Sequence, residues 1–209
     1  IRRAAEHVFT YAQTVEGAFA CNGKTSTAIH CLWGNVTRAL LDLGYWGDPR
    51  LRRAVDGLAG SITGIGYTAY RRSAVQAPGF ACGANRGLPC AWGAIRALWA
   101  LNRVPVAART PTVEAAINAS ADFLLEYDIA LANYPCPSRI SPNWFRFGYP
   151  LAYASDILLN LEVLIEAGYG HDNRLTGALQ LVRSKQDAQG RWLMEHSYNG
   201  KMWADIERK

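Results

Sequence analysis

The stretch A-C-G-A-N-R-G-L-P-C-A-W-G-A-I-R-A-L-W-A-L, Ala81 to Leu101, decides the fold class. It is a cysteine- and glycine-rich loop that runs into an apolar helix. The same device occurs earlier, where Ala20-Cys21-Asn22-Gly23 and a short polar loop lead to His30-Cys31-Leu32-Trp33-Gly34. It returns in altered form at Tyr149-Pro150-Leu151-Ala152-Tyr153-Ala154. Aligning Cys31, Cys90 and Leu151 gives spacings of 59 and 61 residues and puts Trp33, Trp92 and Tyr153 in register, as well as Val36 and Ile95. A shared aromatic two residues after each helix start marks three copies of one unit, and a period of this length is read as a repeat architecture.

A second repeat runs at twice that period. Gly44-Tyr45-Trp46-Gly47-Asp48-Pro49-Arg50-Leu51 matches Gly168-Tyr169-Gly170-His171-Asp172-Asn173-Arg174-Leu175. In each, a glycine ends one helix and an aspartate caps the next; Pro49 suits the first helical position, and Thr110-Pro111 plays the same part between the two. The pattern predicts helices over 31–43, 90–102 and 150–167, nearly all apolar and so buried on most sides. It predicts more amphipathic ones over 49–62, 111–127 and 173–186, after an opening helix over 1–16. No strand is expected. The fold class is all-α, a single domain over 1–209 with an inner ring of helices inside an outer ring. Links from inner to outer helices are short. The return links, about 17–30, 63–89 and 128–149, are long and gather at the end where inner helices begin, which is where function is expected.

Composition narrows the function classes. Half of the 209 residues are hydrophobic and 19% are charged, ordinary for a soluble globular protein. No apolar run is long enough to cross a bilayer and no secretory apolar segment opens the chain, which points to the cytoplasm. The net charge of +5 is spread over short clusters such as Arg50-Leu51-Arg52-Arg53, and without a nucleic-acid motif it reads as solvated surface. Of five cysteines, Cys21, Cys31, Cys82 and Cys90 form two similar pairs and Cys136 is left over. Buried thiols, two loop disulfides and a four-thiolate metal site are all compatible with the spacing, although the tight CxxC knuckle of common zinc sites is missing.

Two further segments, Gln13-Thr14-Val15-Glu16-Gly17-Ala18-Phe19 and Gln186-Asp187-Ala188-Gln189-Gly190-Arg191-Trp192, share the form Q-x-x-x-G-x-aromatic after a helix. With the alternating hairpins, this turn resembles the terpenoid cyclase and protein prenyltransferase superfamily, including squalene–hopene cyclases. Leu181 to Trp192 carries it most cleanly, and Phe147 to Trp192 is similar to uncharacterised prokaryotic members. The resemblance implies an α/α toroid, usually of six hairpins around a central cavity, and an isoprenoid-like ligand. The sequence departs from the enzymes in having no D-x-D-D, the acid that protonates squalene, and no D-D-x-x-D for magnesium and diphosphate. It holds about three and a half hairpins.

Candidate site residues follow from the repeat. Trp33, Trp92 and Tyr153 occupy equivalent inner-helix positions and Trp99 lies seven residues beyond Trp92. They can line a cavity for an apolar or cationic ligand, or simply pack a repeated core. Asp156 is an acid in the second turn of an otherwise apolar helix, with Asn160 at i+4. It is the candidate catalytic acid, or else a helix-terminal or ion-paired carboxylate. A histidine in a long loop, such as His30, reads as polar surface. The long loops carry Lys24, Arg71, Arg72, Arg86, Arg139 and Arg146 against Asp128 alone. Set beside helix N-termini, these bases suit an anionic head group, with Arg86 and Arg146 the expected ligand contacts.

The leading expectation is a terpenoid cyclase- or prenyltransferase-like protein that binds an isoprenoid-like ligand, with conversion of that ligand as the enzymatic form of the same reading. The alternatives are a carbohydrate-active lyase or hydrolase on a similar toroid, which needs paired acids or a Tyr/His pair, and a non-catalytic interaction module with a structural metal. Helix 1–16 lacks an inner partner and the last loop runs out at Lys209, so either a longer chain or a homodimer is expected to cover the open ends.

Overall fold

The structure, a computed structural model, describes residues 1–67, 75–76, 79–149 and 155–197. The expected Tyr153, Arg71 and Arg72 lie outside the described residues. Helices make up most of the described chain: α1 Arg2–Tyr11, α2 His30–Asp42, α3 Pro49–Thr63, α4 Ala91–Asn102, α5 Pro111–Leu125, α6 Ile157–Leu164 and α7 Thr176–Ser184. None of them is long and apolar enough to cross a membrane.

The second repeat builds the helix starts. Gly44 and Gly168 take φ of 82° and 95°, the left-handed region that glycine enters without a Cβ penalty. Asp48 accepts the backbone N–H of Arg50 at 2.8 Å and Asp172 that of Arg174 at 2.9 Å. Each arginine also folds back onto its own capping carboxylate. Thr110 caps α5 through Val113 N at 3.3 Å. The glutamine turns repeat equally closely. Gln13 Nε2 donates to Gly17 O and Gln186 Nε2 to Gly190 O, at 3.2 and 3.0 Å, and the aromatic pairs back as a bridge in both, Gln13 with Phe19 and Gln186 with Trp192. Phe19 is fully buried, whereas Trp192 is 47% exposed.

Helices pack in two layers. α4 lies between α2 and α6; α3 packs on α2 and α5, α5 on α4, and α7 on α6. Apart from the half-buried Trp92, Trp99 and Asn102, every residue of α4 is buried. The contact between α2 and α4 is made backbone to backbone. A Cβ at Gly34 would fall on the carbonyl of Arg96, and one at Gly93 would lie 3.2 Å from the Cβ of His30.

Three expectations are corrected. First, strands exist: Val75–Gln76 (β1) pairs antiparallel with Ala81–Cys82 (β2), and Gly148–Tyr149 (β3) pairs parallel with His196–Ser197 (β4). At two residues each they are too short to show a periodicity in sequence. Second, helices end earlier than their apolar pattern. α1 stops at Tyr11 because the glutamine turn takes over the chain at Gln13. Of the helix expected over 150–167, 150–154 lie outside the described residues and α6 covers Ile157–Leu164. Third, His30 is buried, 3% exposed, with Nε2 3.0 Å from Ser61 Oγ. Burial lowers its pKa to about 4, so it packs as a neutral ring against Phe80.

Overpacking a backbone contact forces the helices apart. Gly34→Ala should therefore lower stability by about 1–3 kcal/mol. Gly47→Ala, where an added methyl group meets nothing within 4 Å, should change it little. Urea unfolding midpoints distinguish the two; equal midpoints would show that α2 and α4 do not depend on this approach.

Candidate functional site

Serine and aspartate compete for backbone N–H groups, which makes them helix caps rather than helix interior. That preference decides the start of α6. Asp156 is its N-cap, not a second-turn residue, and Oδ1 accepts Leu159 N–H at 2.9 Å. The carboxyl is 2% exposed and its Oδ2 has no hydrogen-bond partner. Burial raises its pKa; the Leu159 N–H and the charge of Arg96 oppose this more weakly. Burial thus favours the neutral carboxylic acid.

Arg96, from α4, is 1% exposed beside it. Its Nε donates to Ser155 Oγ at 3.1 Å, and its guanidinium lies 5.1 Å from the ring of Trp99. Arg38 from α2 covers Trp99 as well, at 4.5 Å, and donates to the Trp99 carbonyl at 2.8 Å and to Asp42 at 2.8 Å. Trp99 is therefore gripped by two guanidinium groups, and its indole N–H has no partner. Asn160, one turn after Asp156, donates from Nδ2 to the Tyr134 hydroxyl at 3.0 Å, which donates to Leu124 O at 2.9 Å. The Oδ1 of Asn160 and the hydroxyl of Thr37 on α2, both fully buried, are also without partners. Unpaired buried polar atoms are costly and uncommon, and among the described residues five of them, at Thr37, Trp99, Asn102, Asp156 and Asn160, fall on α2, on α4 or on α6 and its N-cap.

Tyr134 connects this polar interior to a cavity of about 210 Å³ over the start of α4, lined by Cys90, Ala91, Trp92, Tyr134, Cys136, Arg139 and Ile140 among others. The first-turn N–H groups of a helix lack intrahelical acceptors and favour anions, and Arg139 stands at the same wall. A second cavity, about 290 Å³ and more apolar, lies between Phe147, Leu158, Val182, Trp192 and Met194. A third, about 560 Å³, opens beside Glu16, Asp56 and Thr110.

The expected residues distribute unevenly over this geometry. Asp156 and Asn160 share a turn of α6, Trp99 meets them through Arg96, and Trp92 lines the cavity that Tyr134 closes. Trp33 is elsewhere. It is fully buried against α3, donating to Ala54 O at 3.0 Å, and lines none of these cavities. Arg86 is exposed in the turn after Asn85 with φ of 55° and lines none of them either. Arg146 is exposed next to the apolar cavity, where it donates to Glu195 O at 2.6 Å. Cys21 is exposed and Cys31 and Cys82 are buried. Among the described residues no three His, Cys, Asp or Glu side chains are grouped to hold a metal, so the four-thiolate arrangement is not formed. Sequence reasoning missed Arg96 and Tyr134. A lone arginine within A-I-R-A-L-W was a readable signal; Tyr134 lies in a long loop and carried none.

A carboxyl whose folded pKa exceeds its unfolded one holds more protons folded than unfolded. Its contribution is therefore complete below the ordinary carboxylate value and is lost as pH rises through the raised one. Asp156→Asn keeps a capping oxygen and removes the titration. Its stability relative to the parent should rise as pH increases from below 4 to 7, and Asp156→Ala, which lacks the cap as well, should run about 1 kcal/mol below Asp156→Asn at every pH. Parallel pH-stability curves for parent and Asp156→Asn would show that burial does not hold the acid neutral.

Comparison with family models, with curated proteins and with solved structures finds no match to this chain.

Proposed function

We propose that this chain is a partial α/α toroid that binds an apolar, isoprenoid-like ligand carrying an anionic head group. The binding site in this reading is the cavity over the first turn of α4. The observation that carries it is the composition of that one wall. The indole of Trp92 and the side chain of Ile140 offer apolar surface, while the α4 N-terminus and Arg139 favour negative charge. The volume, about 210 Å³, is below the ~300–1,000 Å³ of sites that enclose drug-sized molecules. It suits a head group and the first part of a chain. Asp156 is the acid in this reading. Burial favours its protonated form, and it sits one turn from Asn160, which binds the cavity-lining Tyr134. Alternation of the more buried α2, α4 and α6 with α3, α5 and α7 supports the toroid.

A fluorescent farnesyl diphosphate analogue tests the site. Trp92→Ala should weaken its binding about tenfold or more, within the range of a lost aromatic or cation–π contact. Trp192→Ala, which alters the more apolar cavity instead, should leave affinity within about twofold. Unchanged affinity in a normally melting Trp92→Ala protein, or loss only with Trp192→Ala, would overturn the assignment of the site. Native mass spectrometry with lipid extraction would identify what the protein carries. A bound oligosaccharide or a protein free of lipid at saturating prenyl probe would overturn the ligand class.

A further inference from the structure

The loop preceding α4 folds back on itself. Cys90 N–H donates to Phe80 O at 2.8 Å, Cys82 N–H to Leu88 O at 3.2 Å and Gly87 N–H to Cys82 O at 2.9 Å, with Ala81 bridged to Pro89. Cys82 and Cys90 stand on the two legs of this loop, on the same face. Their thiols are hydrogen-bonded to each other. The two sulfurs sit in different surroundings. Cys82 precedes a short 3-10 turn, Gly83–Asn85, and the backbone N–H groups of Ala84 and Asn85 favour its thiolate. Cys90 is the N-cap residue of α4 and makes no side-chain cap hydrogen bond.

We propose that Cys82 and Cys90 form a reversible dithiol–disulfide pair oxidised by hydroperoxides, with Cys82 as the attacking sulfur and Cys90 as the resolving one. The hydrogen bond from Cys90 and the two backbone N–H groups bring the Cys82 thiol down to about 6, while the same hydrogen bond and burial push Cys90 up. Cys82 is thus the thiolate and Cys90 keeps the proton. Cys82 is 8% exposed, so the oxidant must be small, and hydrogen peroxide is little larger than water. The Cys82 thiolate attacks one peroxide oxygen, the O–O bond breaks, and hydroxide leaves and takes a proton from solvent. Cys90 sulfur then attacks the Cys82 sulfenic acid. The S–S bond forms as S–OH breaks, and the Cys90 proton departs with the hydroxyl as water. Two thiols and one peroxide give one disulfide and two waters. The product ties the start of α4 to the far leg of its own loop.

Arg86 lies between the two cysteines, which makes the product directly readable. The reduced chain is treated with a small excess of hydrogen peroxide, alkylated with N-ethylmaleimide and digested with trypsin without reduction. Residues 73–86 and 87–96 should then emerge as one disulfide-linked pair, with Cys21 and Cys136 alkylated, and dithiothreitol should restore both thiols. Cys31 lies close enough to Cys90 to act on it electrostatically and is the natural competitor. A bridge from Cys90 to Cys31 or Cys136, or full alkylation of Cys82 and Cys90 after peroxide, overturns the proposal. In Cys90→Ser the Cys82 sulfenic acid should persist and be trapped by dimedone. Trapping elsewhere, or none in a variant with a normal melt, overturns the assignment of Cys82 as the attacking sulfur. The wild-type peptide map stands whether or not the variant folds.

Discussion

The backbone contact between α2 and α4 is the constraint on which the rest of this structure depends. Gly34 lies against the carbonyl of Arg96, and Gly93 against His30. With no side chain between them at these points the two helices approach at van der Waals distance. This approach seals His30 as a neutral ring, brings Cys31 near Cys90 and puts both Arg38 and Arg96 against the Trp99 ring. The outer helices α3 and α5 then pack over a pair whose spacing is already set.

Such a close pair has a consequence for charge. Arg96 cannot reach water from its position on α4, and an isolated buried guanidinium would be costly. Its charge is met in part by the Trp99 ring, by Ser155 and by the nearby Asp156. Asp156 for its part is pushed toward its neutral form by the same burial. A carboxyl left with one unsatisfied oxygen, together with orphan atoms on Thr37, Trp99 and Asn160, is an arrangement that destabilises the fold.

The two glutamine turns show how one local sequence can serve two environments. Gln13 and Gln186 both bond the carbonyl four residues on, and both turns rely on a glycine with positive φ, Gly17 and Gly190. Gln13 additionally donates to Arg50 O at the start of α3, and a Cβ at Gly17 would meet the backbone of Arg53 at 2.7 Å. The first turn is thus locked onto α3 and its Phe19 is buried. The Arg50 guanidinium also ties Glu6 to Asp48 there. The second turn holds its aromatic at the surface, where Trp192 donates to Val182 O beside the more apolar cavity.

Much of the helical plan was legible from residues alone, because it rests on local physics. Asp48-Pro49, Thr110-Pro111 and Asp172 cap helices through their own neighbours. Gly44 and Gly168 turn the chain because only glycine enters that conformation cheaply, and the two Q-x-x-x-G turns close on themselves. The order and type of the helices follow. What only the tertiary structure decided are the properties that depend on neighbours distant in sequence. Trp33 and Trp92 hold equivalent places in the repeat, yet Trp33 meets Ala54 and is buried while Trp92 meets Tyr134 across a cavity. His30 reads as a loop residue until Ser61 and Phe80 enclose it. Asp156 reads as a second-turn acid; it is instead the N-cap of a helix that begins at Ile157, and its raised pKa comes from burial. Periodicity reports which residues share a face; it does not report which face meets solvent, a charge or an empty space, because that depends on packing partners that the chain brings together only when it folds.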